Sequence, residues 1–238
     1  MDGLSPSPLI IALDHDTVAD AEECVASLTG LVERYKVGSV LYPRVGPAFV
    51  RELIRAGYGV FLDLKFHDTP ATVAGAVAAA ADLGVDLVTV HAAGGVEMLE
   101  SARRAADDGD HRLQLLAVTV LTSLEADDYA RIVGPGARSL EDAVTALGEM
   151  AIDSGIDGCV CAAGDVARLR SALGPAPLLV VPGIRPAWSV ADHSGQARIA
   201  TPQAALQAGA SYLVVGRAVT GAEDPAAAVV RIQAELAA

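Results

Sequence analysis

The 238-residue sequence predicts an α/β chain folded as a single (β/α)8 barrel, and three observations carry that expectation. Short β-branched runs alternate with longer Ala-rich amphipathic runs along the chain. Eight β-then-α units can be read in this way, which suits a closed parallel barrel better than an open sheet. The residues are 52% hydrophobic but only 4% aromatic, a mixture of Ala, Val and Leu that fits buried parallel strands under Ala-rich helices. A doubly wound sheet is the alternative fold. No linker or composition break divides residues 1–238, so one barrel domain is expected over that whole span.

The first strand is LIIAL at 9–13, followed by YKVGS at 35–39 and VFLDLKF at 60–66. DLVTVHA at 86–92, LQLLAVTVL at 113–121 and GCVCAA at 158–163 come next. LLVVPG at 178–183 and YLVVGR at 212–217 complete the eight. Between them, Pro70, Pro202 and Pro225 stand where helices should begin, because the first helical turn has no use for the missing N–H. Gly57, Gly84, Gly155 and Gly209 stand just past expected helix ends. Two stretches read as long loops, 123–139 and 184–200; in a compact barrel such loops usually carry function.

The formal net charge is −13, which disfavours binding to nucleic acid or to anionic lipid. A small anionic ligand remains compatible, since a few convergent Arg and Lys side chains can reverse the local field. No opening segment joins a basic start to an apolar core, so no secretory leader is expected, and no apolar run reaches the about 18 residues of a membrane span. The three cysteines, Cys24, Cys159 and Cys161, give no disulfide framework, and a reducing cytoplasm is the expected compartment. Cys159 and Cys161 alternate along one strand and are read as packing residues rather than metal ligands.

In a barrel the chemistry gathers at the C-terminal ends of the strands. Those ends here carry Asp14, Lys36, Asp63 with Lys65, His91, Thr119 to Thr122, Arg185 and Arg217. Charges in such places are costly unless paired, and both signs are available. Asp63 and Lys65 lie two apart on a strand, so alternation predicts that both side chains share a face while Leu62, Leu64 and Phe66 take the other. The bland reading is a structural salt bridge, and it weakens because Asp14 and Lys36 arrive at neighbouring strand ends by the same logic. By the same alternation His67 points away from the pair, and His91 is read as a wall residue. Trp188, the sole tryptophan, falls in the second long loop.

FLDLKFHDTP at 61–70 resembles the D-x-K-x-x-D motif of the orotidine 5′-monophosphate decarboxylase family. ALDH at 12–15, YKVG at 35–38, VHAAGG at 90–95, AVTVLTS at 117–123, VPGIRP at 181–186, QARIATP at 196–202 and VVGRAVT at 214–220 are also similar to family segments, in order. The motif reads DTPAT where many members have DIPNT. The loop between Arg185 and Gln196 is about two residues longer than usual, and Gly195 replaces a frequent acidic residue.

The resemblance implies a charge tetrad of Lys36, Asp63, Lys65 and Asp68. It implies ribose contacts from Asp14 and Lys36, a pyrimidine contact from Thr122, and a phosphate grip from Gln196, Arg217 and the Gly216 backbone. Arg185 is implied as a further binding arginine. It also implies a homodimer in which Asp68 and Thr72 act in the partner's active site. No cofactor and no metal are expected. The implied reaction yields uridine 5′-monophosphate and CO2 in the last step of de novo pyrimidine synthesis.

That reaction leaves negative charge in the plane of the pyrimidine ring, where no π system spreads it, and no cofactor serves as electron sink. A lysine ammonium can stabilise that charge and then supply the proton, which are the roles expected of Lys65. The closest rival is a Mg-dependent sugar-phosphate decarboxylase or hexulose-phosphate aldolase sharing the same motif. A catalytically silent phosphate-binding barrel is the rival from another class.

Overall fold

The computed structural model describes residues 7–109, 112–189 and 200–237. Eight parallel strands close into a barrel in sequence order. They are β1 (Leu9–Ala12), β2 (Arg34–Gly38), β3 (Gly59–Phe66), β4 (Leu87–His91), β5 (Gln114–Val118), β6 (Gly158–Val160), β7 (Leu178–Val181) and β8 (Tyr212–Val215). β8 returns to β1 with Ile10 opposite Val214. The barrel expected from the sequence is therefore the one observed, and the open doubly wound alternative is not.

Alternation along the strands sorts side chains into two cores. Ile10, Phe61, Leu116, Val180 and Val214 fill the barrel interior. Ile11, Leu62, Val88, Leu115, Cys159 and Leu213 belong to the larger layer under the helices. Cys159 and Cys161 are both fully buried in that layer, as packing residues should be.

Local signals set the helix ends. Pro70, Pro202 and Pro225 each open a helix. Thr17, Ser139 and Thr201 accept N-terminal N–H groups with their hydroxyls. Gly84 closes the helix Pro70–Leu83 at φ 82°, a backbone state for which glycine carries little penalty.

Two expectations change in detail. The stretch 123–139, expected to be a loop, contains a helix at Ala126–Val133 with no buried residue. Asp127 and Asp128 favour its N-terminus, and Arg131 pairs with Asp128 at 3.1 Å. The stretch 184–200 opens with a 3-10 turn at Ala187–Ser189, and Ile184 bridges Ala200. Residues 190–199, Gln196 among them, lie outside the described residues.

Candidate active site

At the C-terminal mouth of the barrel is a cavity of about 320 Å³. Asp14, Lys36, Asp63, Lys65, Thr122, Arg185, Gly216 and Arg217 all line it. Seven residues picked from the sequence as strand ends thus converge on one cavity, together with Gly216, which the family resemblance implied. Among the described lining residues, four cationic side chains face two carboxylates. The local balance is positive inside a chain of net charge −13, as an anionic ligand requires.

A line of alternating charges runs across the floor. The Lys36 ammonium donates to Asp14 Oδ1 at 2.9 Å and lies 3.6 Å from Asp63 Oδ2. The Lys65 ammonium donates to both carboxylate oxygens of Asp63, at 2.8 Å each. Lys36 and Asp63 are buried, which is tolerable because each is paired. Lys65 keeps about a third of its side chain exposed (34%) and so can meet a ligand. Gly38 makes room for this arrangement: a Cβ there would stand 2.7 Å from Lys36 Nζ. Nothing in the sequence pattern marks Gly38 for that role.

Lys65 and Asp63 meet, but not by simple alternation. The pairing of β3 with β4 jumps from Leu62 opposite Val88 to Phe66 opposite Val90. Two extra residues of β3 are accommodated as a bulge. Lys65 sits in it with φ 53°, the sole non-glycine residue at positive φ among the described residues. Its N–H donates to Thr89 Oγ1 at 2.8 Å, and that hydroxyl donates to Asp63 Oδ1 at 3.0 Å. Thr89 is fully buried. The sequence reading passed over it as an ordinary strand residue.

The other end of the cavity is built for an anion. Arg185 follows β7 and Arg217 follows β8, the two strand ends where barrels commonly hold phosphate. Both arginines also line a neighbouring hollow with Trp188 and Ser189. The Arg231 guanidinium stacks 4.6 Å over the Trp188 ring, so the sole tryptophan is tethered to the C-terminal helix Pro225–Ala237. A Cβ on Gly216 would meet only Ala12, at an ordinary 3.7 Å. Protein packing therefore does not demand glycine there; space on the cavity side is what it leaves.

Asp68 and Thr72 are exposed and do not line this chain's cavity. Asp68 accepts the Thr69 N–H, and the Thr69 and Thr72 hydroxyls lie 2.9 Å apart, at the start of the helix Pro70–Leu83. His67 is exposed and stacks on His91 with ring centroids 5.0 Å apart. Burial, then the neighbouring His67 and Lys65, push the His91 pKa down, which favours its neutral form.

The model of the Orotidine 5′-phosphate decarboxylase / HUMPS family matches residues 7–232. The orotidine 5′-phosphate decarboxylase of Halorhodospira halophila is 48% identical over 235 residues, covering 98% of this chain and 97% of that protein. The protein of the same name from Anaeromyxobacter sp. (strain K) is 48% identical over 236 residues and is covered in full. Among solved structures, orotidine 5′-phosphate decarboxylase from Lactobacillus acidophilus superposes with a TM-score of 0.85 at 37% identity, covering 97% of this chain and 99% of that one. An uncharacterized conserved protein from Geobacillus kaustophilus gives 0.83 at 36% identity, with 96% and 100% covered.

Proposed function

We propose, from the premise that this chain belongs to the orotidine 5′-phosphate decarboxylase / HUMPS family, that it converts orotidine 5′-monophosphate to uridine 5′-monophosphate and CO2. The observation that carries the reading is the Lys65 ammonium, gripped by both oxygens of Asp63 and still open to the cavity. A volume of about 320 Å³, with charged groups at both ends, suits a nucleoside monophosphate.

The parts take roles by position. Arg185 and Arg217, with the Gly216 backbone, bind the phosphate. Asp14 and Lys36 hold the ribose hydroxyls, and Thr122 contacts the pyrimidine. Breaking the C6–carboxylate bond releases CO2 and leaves the electron pair on C6. Lys65 stabilises that charge and then transfers an Nζ proton to C6; solvent restores the ammonium. A fixed ammonium does this better than water because Asp63 orients it before the reaction begins. Gln196, proposed as a further phosphate contact, lies outside the described residues.

Asp68 and Thr72 are proposed to complete the active site of a second copy in a homodimer. Their exposure beside the mouth supports that reading, since neither reaches its own cavity. The described cysteines are all free, which is compatible with a cytoplasmic setting.

The rival metal-dependent reaction of the same family needs acidic ligands converging on a divalent cation. Among the described residues no group of three or more His, Cys, Asp and Glu side chains is so arranged. The test is the ultraviolet absorbance of orotidine 5′-monophosphate mixed with purified protein in excess EDTA. Conversion to uridine 5′-monophosphate is expected; turnover that appears only after Mg2+ is added would sink the proposal.

A further inference from the structure

The chemistry proposed above rests on one lysine, and that lysine is held in an unfavourable backbone state. Positive φ costs an L residue about 1–2 kcal/mol, so something must hold Lys65 there. The ladder to β4 is broken at this point, since the register jumps between Leu62 and Phe66. Where a strand carbonyl would ordinarily accept the Lys65 N–H, the Thr89 hydroxyl accepts it instead, at 2.8 Å.

That hydroxyl has a single proton, and it points at Asp63 Oδ1, 3.0 Å away. Asp63 in turn holds the Lys65 ammonium. The contacts form a closed circuit: Lys65 N–H to Thr89, Thr89 to Asp63, Asp63 to Lys65 Nζ. We infer that Thr89 is a positioning residue for this reaction, one hydroxyl locking Lys65 at its backbone and, through Asp63, at its ammonium.

Thr89 is fully buried and does not line the cavity, so it has no access to a ligand there. Its effect must pass through Lys65 and Asp63. Valine has the same shape but neither accepts nor donates a hydrogen bond. In its presence the Lys65 N–H loses its acceptor and Asp63 loses the bond that orients one oxygen. The bulge can then relax and the ammonium drift from its reacting position. Serine keeps both bonds and loses only a methyl group.

The inference depends on the decarboxylase reading, and the experiment separates the two. Full-length wild type, Thr89→Val, Thr89→Ser and Thr89→Ala are checked for folding by circular dichroism and assayed with orotidine 5′-monophosphate. Hydrogen exchange of the peptide bearing the Lys65 amide is followed in parallel. Valine and alanine are expected to lower kcat by about 10- to 100-fold, the range for charge-assisted hydrogen bonds, with KM within about two-fold of wild type. Serine is expected to restore kcat to within about three-fold, and faster exchange at Lys65 should accompany the valine and alanine variants only.

A valine variant retaining more than about a third of wild-type kcat overturns the inference, as does a loss carried by KM alone or a serine variant as impaired as valine. If valine prevents folding, the serine and alanine variants differ by the hydroxyl alone and decide the matter. Wild type that leaves the nucleotide untouched overturns the functional reading. In that event the catalytic part of the inference falls with it, and exchange at Lys65 decides only the backbone bracing: unchanged exchange in the valine and alanine variants overturns that as well, and accelerated exchange upholds it alone.

Discussion

Replacing Lys65 with alanine separates catalysis from stability. On the stability side, the structure leaves Asp63 with company when Lys65 is removed. Lys36 remains 3.6 Å away and the Thr89 hydroxyl 3.0 Å away. The carboxylate is not orphaned, so the roughly 3–5 kcal/mol typical of a broken buried pair does not apply in full. Lys65 itself is about one third exposed, where ion pairs contribute only about 0–1 kcal/mol. Alanine inherits the positive φ, so no strain is relieved. A loss of about 1 kcal/mol is expected, equivalent to about 2–4 °C in Tm for a chain of this size.

The catalytic loss is far larger. A unit charge about 4 Å from the developing carbanion contributes about 4 kcal/mol at an effective dielectric near 20, or about a thousand-fold in rate. Loss of the proton donor adds a further factor of about 10² to 10⁴. The assay pairs thermal melting with the absorbance change of orotidine 5′-monophosphate. Asp63→Ala serves as the contrast: Lys36 keeps Asp14 at 2.9 Å, but Lys65 loses both carboxylate oxygens and the buried Thr89 hydroxyl loses its acceptor, so a loss of about 2–3 kcal/mol is expected. A Lys65→Ala variant retaining more than about a thousandth of wild-type kcat would refute the assigned role, since electrostatics alone predict a greater loss. A variant melting as low as Asp63→Ala would refute the claim that Asp63 stays satisfied.

Two further outcomes follow from other parts of the molecule. Mixing Asp68→Asn with Lys65→Ala chains should regenerate activity, because one of the two sites in a mixed dimer then holds both native residues; mixtures as inactive as the separate variants would exclude a shared site. Burial pushes the Cys159 thiol up to about 12 and raises Cys161 and Cys24 as well, while burial and the nearby Tyr58 and Cys24 raise Tyr35. These groups stay neutral in the fold but ionise earlier once unfolded, so their stabilising contribution is complete below about pH 9 and is lost as pH rises from there toward 12. Tm should fall through that window, and the native thiols should resist a thiol reagent at pH 8 until denaturant is added; rapid labelling of native Cys159 would contradict its burial.

Much of this arrangement is legible in the amino-acid sequence because barrels put strand ends to chemical use. Asp14, Lys36, Asp63, Lys65, Arg185 and Arg217 could be picked as charged strand ends, and all face one cavity. Alternation set Leu62 on the face away from Asp63 and put Cys159 and Cys161 on a shared side as packing residues, and all three lie in the layer under the helices. Alternation also brought Asp63 and Lys65 together, but for an incomplete reason, since a bulge and a positive φ intervene. The surface helix Ala126–Val133 is easily taken for loop because it is only eight residues long and runs directly into the turn-forming Gly134, Pro135 and Gly136.

By itself the sequence determined the strand count, the helix caps and the charged groups at the barrel mouth. Those are properties of neighbouring residues: periodicity, missing N–H groups and the side chains placed at each strand end. Only the tertiary structure decided that Thr89 would brace Lys65 and that Gly38 would clear space for Lys36. Thr89 lies 24 residues from Lys65 along the chain, and their contact follows from how β3 and β4 register across the bulge. Register is settled by the packing of the whole barrel, so no local pattern of residues can announce it.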